Sequence, residues 1–487
     1  MKKTISFQTK HLLLDGGEII PALVRCAPGE PMDIVPGQPG GADIQLPDPI
    51  HIALARADTH VHFRESYIPS REEFENDPYR NAAQTYEQLL EAIRAANTYY
   101  DVRRGSLAAL KGGVWLAGAM GNTPWAPLGR ERWEKTQRHY QQQALIYMHV
   151  WPRMEPGVPP IEGQEEKDFG STFGGSGING EQRRRMYLER KGGMVSYHND
   201  QPREEMTIDE FQHQYHPPAI LLHHLYYDGE TVLAAQRTAL ALAREAELSR
   251  LHTRHIPTGA ALEMILGARR EETMDLPAEV GLDYLYFNRD MLLNRNTSSF
   301  NFRRPALPSQ ADQAGLIELT RECARRRDPR TFIGSDQAPH PRKAKAPLPN
   351  GLPGSPGTRV LAISHQIHTH LIKHCSYTFA DIDWLTAITP AKYIAQYRPF
   401  PFPIGTMANG AMANLVIFDP DVRHVVDEEK YRKELRDPEY QSAYRDETLF
   451  GEVLYTVVNG VIYDVRGEIV PLNAEWGEMA LSSIQSP

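Results

Sequence analysis

Between about residue 51 and about residue 400, short apolar runs alternate with amphipathic stretches of helical period. The apolar runs are IALARADTHVHF, GVWLAGAMGN, ALIYMHVW, GMVSYHN, SRLHTRHI and RTFIGSDQ. Segments such as AAQTYEQLLEAIRAANTYY and ETVLAAQRTALALAREAELSR lie between them. Repeated strand-then-helix alternation implies a parallel sheet covered by helices. About eight such units in about 345 residues suit a (β/α)₈ TIM-like barrel with insertions better than two separate domains.

The two ends of the chain follow a different pattern. KTISFQTKHLLL alternates loosely and leads into the Pro/Gly-rich APGEPMDIVPGQPGGADIQLPDP, while GAMANLVIFDP and VLYTVVNGVIYDVRGEIVPL read as strands. The Val-Asn-Gly-Val step reads as a hairpin turn. The expected organisation is therefore a barrel over 55–400, with 1–54 and 401–487 pairing into one small β-sandwich beside it.

Composition narrows the function classes. Hydrophobic residues at 41% and charged residues at 24% fit an ordinary soluble globular protein. No apolar run approaches the roughly 20 residues that cross a bilayer, and the first residues lack the apolar core of a secretory signal. A net charge of −9 without any basic stripe argues against nucleic acid as a partner. Cys26, Cys323 and Cys375 are too few and too scattered for a disulfide framework or a thiolate zinc site. A cytoplasmic protein acting on a small molecule is expected.

Metal-binding residue types recur at the C-terminal ends of the apolar runs, where barrel enzymes assemble their sites. His60 and His62 are two apart, so on a strand they share a face and can converge on one ion. His198 ends GMVSYHN, His255 ends SRLHTRHI, and Asp336 ends TFIGSD. Each alone is more often a satisfied polar residue. Imidazoles and a carboxylate together suit zinc or a similar divalent ion. A second histidine group, His365, His368, His370 and His374, falls in a helical stretch where only His370 and His374 align at i, i+4, and it reads as a solvated helix. The His223–His224 pair reads as part of an insertion.

DTHVHFRE at 58–65 resembles the D-x-H-x-H-x-R-E opening of the amidohydrolase superfamily, in particular of the dihydroorotases. Met120-Gly-Asn-Thr-Pro124 resembles that family's M-P-N-T-x-P segment, RHIPTGAALEMI its H-(V/I)-(S/T)-T segment, and GSDQAPHPRK its (T/S)-D-x-A-P-H segment. EVGLDYLYFNRDMLL is similar to its seventh-strand loop, and ITPAKYIAQY to its N-P-A-K-x-x-G helix. The matches stand in the family's order and cover about 55 to 420.

The resemblance implies a binuclear centre. His60, His62 and Asp336 would hold the more buried of two divalent ions, expected to be zinc, and His198 and His255 the more exposed one. Lys167, N6-carboxylated, would bridge them, because KDFGSTFGGSG resembles the family's K-x-F-x-x-S-x-G stretch. The competing reading is a solvated Lys167 in EGQEEKD, whose acidic neighbours suit an exposed loop. Solvent shared by the ions would supply hydroxide near neutral pH, and Asp336 would shuttle its proton. Arg64, two after His62, would grip a substrate carboxylate bidentately, joined by Asn122 and His340. The implied reaction is reversible hydrolysis of dihydroorotate to N-carbamoyl-aspartate, in pyrimidine biosynthesis, by an enzyme that relatives suggest is a homodimer.

Some positions depart from the pattern. Gly121 replaces proline, Asn-Asp follows His198, NFRRPAL stands for K-x-N-P-P-L, and 152–166 and 201–219 look unlike compact relatives. Allantoinase-like or hydantoinase-like activity, and a non-catalytic paralogue kept for assembly, are the alternatives.

Overall fold

The computed structural model describes residues 3–37, 39–168, 180–199, 208–216, 219–294, 303–346 and 354–475. Most of the KDFGSTFGGSG string, much of 201–219 and the end of 401–487 lie outside the described residues.

Eight parallel strands form the centre: β1 Arg56–Val61, β2 Val114–Ala119, β3 Tyr147–Val150, β4 Glu165–Asp168, β5 Met194–His198, β6 Arg250–Ile256, β7 Ala278–Gly281 and β8 Thr331–Gly334. Ladders join β1 to β3 in one sheet of three, and β4 to β8 in a second of five, each in chain order. The sheets meet at two seams through single bridges, Arg153 to Lys167 and Val61 to Gln337. At the second seam the His62 N–H donates to the Gln337 carbonyl at 2.7 Å. Asp58 fastens the same seam, its Oδ1 accepting from the backbone N–H groups of His60 and Ser335. The fold is the (β/α)₈ barrel that the alternation predicts.

Helices cover the strands. Tyr86–Tyr99 starts with a capping box, Thr85 and Gln88 each accepting from the other's backbone N–H. Gly259–Glu271 is capped by Thr258, three residues after His255, so the chain leaves β6 and turns at once into a helix. Between β3 and β4 no helix intervenes; residues 151–164 cross directly.

The run IALARADTHVHF divides where one strand was expected. His51–Leu54 pairs antiparallel with Leu415–Phe418, whereas β1 begins at Arg56. A nine-stranded sheet gathers strands from both ends of the chain, including Ile5–Leu13, Ile19–Cys26, Leu415–Val425 and Thr448–Val458. The Asn459-Gly460 turn has φ of 49° and 79°, as a two-residue hairpin of right-handed twist requires.

β4 is the strand that periodicity misses, since its sequence is Glu-Glu-Lys-Asp. All four residues are buried, which corrects the reading of EGQEEKD as an exposed loop. Alternation sends Glu165 and Lys167 to one face, and Glu166 and Asp168 to the other. On the outer side Arg190 donates to Glu166 at 2.7 Å, and Arg183 to Asp168 at 2.8 Å. On the inner side Glu165 accepts from Arg254 at 2.9 Å.

The helix Ser364–His374 is also not the solvated one expected. It packs on Thr448–Val458, and His365 and His368 are buried, His365 edge-on to Phe418 at 4.3 Å. Burial, more than any neighbouring charge, holds both imidazoles neutral. His223 and His224 are buried as well; His223 Nε2 donates to the Arg303 carbonyl, and His224 Nδ1 accepts from Leu307 N–H. No helix among the described residues is long and apolar enough to cross a membrane.

Arg190→Ala leaves Glu166 a buried carboxylate without its cation, so a stability loss of about 3–5 kcal/mol is expected in urea unfolding. Adding Glu166→Gln with methionine at 190 recovers most of it.

Candidate functional site

All six candidate ligands come from the C-terminal halves or ends of barrel strands. His60 and His62 stand at the end of β1, Lys167 in β4, His198 at the end of β5, His255 near the end of β6, and Asp336 two residues past β8. The structure brings them together. His60, His198 and His255 form one set, and His60, His62 and Asp336 a second; within each set the ligand atoms lie within 4.8 Å of one another. His60 belongs to both. The Nε2 atoms of His60 and His62 are each 3.2 Å from Asp336 Oδ1, and the rings of His198 and His255 are 4.4 Å apart. Lys167 is fully buried on the neighbouring strand β4, and its charge helps to lower the pKa of His62, His198 and His255.

Two of these residues need special backbone. Arg254 already points into the barrel, and on a regular strand its neighbour would point out. The β6–β7 ladder is irregular between Thr253 and Ile256, and His255 has φ of 36°, which re-aims its ring into the mouth. Asp336 has φ of 48°. Left-handed backbone at a residue other than glycine costs of order 1–3 kcal/mol and concentrates at functional positions.

Electrostatics favour cation binding. Burial is the first cause lowering the pKa of His60, His62, His198 and His255, so all four are neutral imidazoles with lone pairs to give. Burial, then Arg254, holds Lys167 well below the ordinary lysine range. Burial pushes the Asp336 carboxyl up to about 6, against the pull of His60. His255 is wholly buried, yet neither ring nitrogen has a hydrogen-bond partner among the described residues. An unsatisfied buried polar atom costs about 1–3 kcal/mol. Converging neutral imidazoles and one carboxylate are the donor set of a divalent cation, so these residues fit the ions that the sequence implies.

Arg64 is buried, and Asn122 and His340 are half-buried. A terminal nitrogen of Arg64 is 3.1 Å from His340 Nε2, and its Nε donates to the Pro339 carbonyl at 3.3 Å. Burial first, then Arg64, keeps His340 neutral. Asn122 Oδ1 pairs with His62 Nδ1 at 2.7 Å, a role that the sequence did not suggest.

Sequence reasoning missed the layer below. Glu279 on β7 takes His60 Nδ1 at 2.6 Å, and Arg254 spans Glu279 and Glu165 at 2.8 and 2.9 Å. The available signal was a charged residue inside an otherwise apolar strand, as in PAEVGL and RLHTRHI. Gly334 on β8 makes room: a Cβ there would lie 2.6 Å from Glu279 Cδ.

No family model matches the chain. Among curated proteins it is 28% identical over 242 residues to the dihydroorotase of Clostridium acetobutylicum, an alignment covering 49% of this chain and 51% of that protein. The chain thus spans about half the length of that relative, as it does for the Listeria monocytogenes dihydroorotase, 26% identical with 51% covered. The Streptococcus pyogenes dihydroorotase is 22% identical over 481 residues, 94% of this chain and 96% of that protein. Among solved structures, the L-hydantoinase (dihydropyrimidinase) of Arthrobacter aurescens aligns with a TM-score of 0.73 at 18% identity, covering 96% of this chain and 98% of that one. The dihydropyrimidinase of Brevibacillus agri aligns at 0.72 and 16% identity, with 97% of each chain covered. These likenesses show the shared fold.

Gly334→Ala is expected to cost about 1–3 kcal/mol in thermal or denaturant unfolding, since Glu279 has nowhere to move. Gly267→Ala, in a helix with nothing within 4 Å of the new methyl, is expected to have the opposite sign, a gain of about 0.5–1 kcal/mol.

Proposed function

We propose that the chain is a member of the amidohydrolase superfamily and, from that premise, a divalent-metal-dependent cyclic amidohydrolase, opening dihydroorotate to N-carbamoyl-aspartate and closing it in reverse. The observation that carries this reading is the meeting of His60, His62, His198, His255 and Asp336, from four strand ends, in two ligand sets sharing His60. His60, His62 and Asp336 would hold one ion, and His198 and His255 the other, with zinc the best match to the donors. Lys167 would bridge them as its N6-carboxylate, because an ammonium is a poor ligand and a carbamate offers one oxygen to each ion. Bound divalent cations supply acidification of water toward neutrality and polarisation of an amide carbonyl.

The chain's own residues do the remainder. Asp336 Oδ1 is 3.2 Å from two of the imidazoles, and its side chain is partly exposed where theirs are buried. It would take the proton of the attacking water and return it to the departing ring nitrogen. Arg64 and His340 stand in contact with each other, and a guanidinium so placed would grip a carboxylate in two parallel hydrogen bonds. Asn122 spends its carbonyl on His62, which leaves its amide N–H groups as donors to the same carboxylate. A small cyclic amide carrying one acid group satisfies all three.

A second reading, hydantoinase-like or allantoinase-like opening of another ureide ring, draws on the hydantoinase names of the structural neighbours. Arg64 weighs against it, because a ring without a carboxylate leaves that buried cation unmatched.

Incubation of the metal-loaded protein with dihydroorotate and with N-carbamoyl-aspartate tests the proposal. Turnover of both is expected; turnover of neither rules the substrate out, and a panel of hydantoin and allantoin rings then separates the alternatives. A protein that takes up no metal in zinc-supplemented medium would instead be a non-catalytic paralogue. Asp336→Asn is expected to lower kcat by at least about 10³-fold with metal retained. Arg64→Met is expected to lower kcat/KM by about 100-fold, mostly through KM.

A further inference from the structure

Glu279 is the second residue of β7 and has no exposed surface. Its Oε1 accepts from His60 Nδ1 at 2.6 Å and from the backbone N–H of His255 at 3.2 Å. Its Oε2 accepts from Thr59 Oγ1 at 2.6 Å and from Arg254 at 2.8 Å. A carboxylate has about four acceptor sites, so Glu279 is saturated. One guanidinium, shared with Glu165 and equally buried, stands against it.

The donors are not a random sample of the barrel. Two of them belong to His60 and His255, which sit together in the all-histidine set. A neutral imidazole carries its proton on either nitrogen, and a carboxylate accepting at Nδ1 settles it there, leaving Nε2 with the lone pair. His60 Nε2 is the atom that faces Asp336. At His255 the bond falls on the backbone N–H of the residue with φ of 36°, so it pins the turn that swings that ring inward.

We propose that Glu279 is the positioning residue of the metal centre: one carboxylate fixes the tautomer and ring of His60 and the backbone of His255, and Thr59 and Arg254 hold that carboxylate still. This rests on the metal-binding reading of the site but not on any particular substrate. Carboxylates behind histidine ligands are worth 10–100-fold in metal affinity. A plain structural ion pair with Arg254 would give Glu279 no such effect.

The test loads metal-free protein with cobalt(II) and records its visible absorption, the chelator concentration that removes half the metal, and the melting temperature of the metal-free form. Glu279→Gln keeps the shape and removes the charge. Because it also strands Arg254, the double variant Glu279→Gln with Arg254→Met is measured beside it. The expected result is a 10–100-fold loss of cobalt affinity and an altered spectrum in every variant that folds, beyond any change in metal-free melting. Wild-type affinity and spectrum in either folded variant overturns the proposal. So does failure of both variants to fold, which makes Glu279 a structural residue only. Wild-type protein that binds cobalt tightly but opens none of the rings defeats the enzymatic reading and leaves this one standing.

Discussion

A fully buried barrel interior accepts charge only in matched sets, and this constraint organises the molecule. Glu165, Arg254 and Glu279 run across the inside of the barrel beneath Lys167 and His60, each with a named partner. Tyr393, on the helix Thr389–Ile394, and Tyr397, in the turn after it, complete Glu165, and Trp151 lies against the Arg254 guanidinium at 4.8 Å. Stranding one such charge costs about 3–5 kcal/mol, a large part of the 5–15 kcal/mol that holds a typical domain together. The ligands above are therefore set on a foundation whose members each contribute to stability as well as to the site.

The same constraint explains what the sequence discloses and what it conceals. His60, His198, His255 and Asp336 are legible because each ends an apolar strand, and that position in a barrel is its mouth. β4 is not legible, because Glu-Glu-Lys-Asp carries no hydrophobic signal; only Arg183, Arg190 and Arg254, distant in sequence, make its burial possible. β7, at four residues with Glu279 in the middle, is too short and too polar to stand out. The histidines of 364–374 mislead in the other direction. Their spacing looks amphipathic and wet, yet the terminal sheet covers His365 and His368, and local pattern cannot foresee a partner that lies outside the helix's own stretch of sequence.

The H-x-H pair shows how little of a site a motif contains. His60 and His62 share a strand end, but each owes its orientation to a different distant residue. His60 leans on Glu279 from β7, and His62 on Asn122 from the loop after β2. Two imidazoles on one face become two ligands aimed at one point only when both supports arrive. Spacing proposes the pair, and the other barrel strands and their loops place its supports.

The strand His51–Leu54 lies between Ile5–Leu13 and Leu415–Phe418 in the terminal sheet. The whole barrel is threaded between those two neighbours. Entropy charges little extra for so long a loop, since closure grows only with the logarithm of its length, but the order of events is fixed. As the chain emerges, one edge of His51–Leu54 stays open until every barrel strand has been made, and an open edge is where foreign strands attach. The carboxy-terminal strands act as a clasp: by arriving last they close that edge and fasten the neck where the barrel begins.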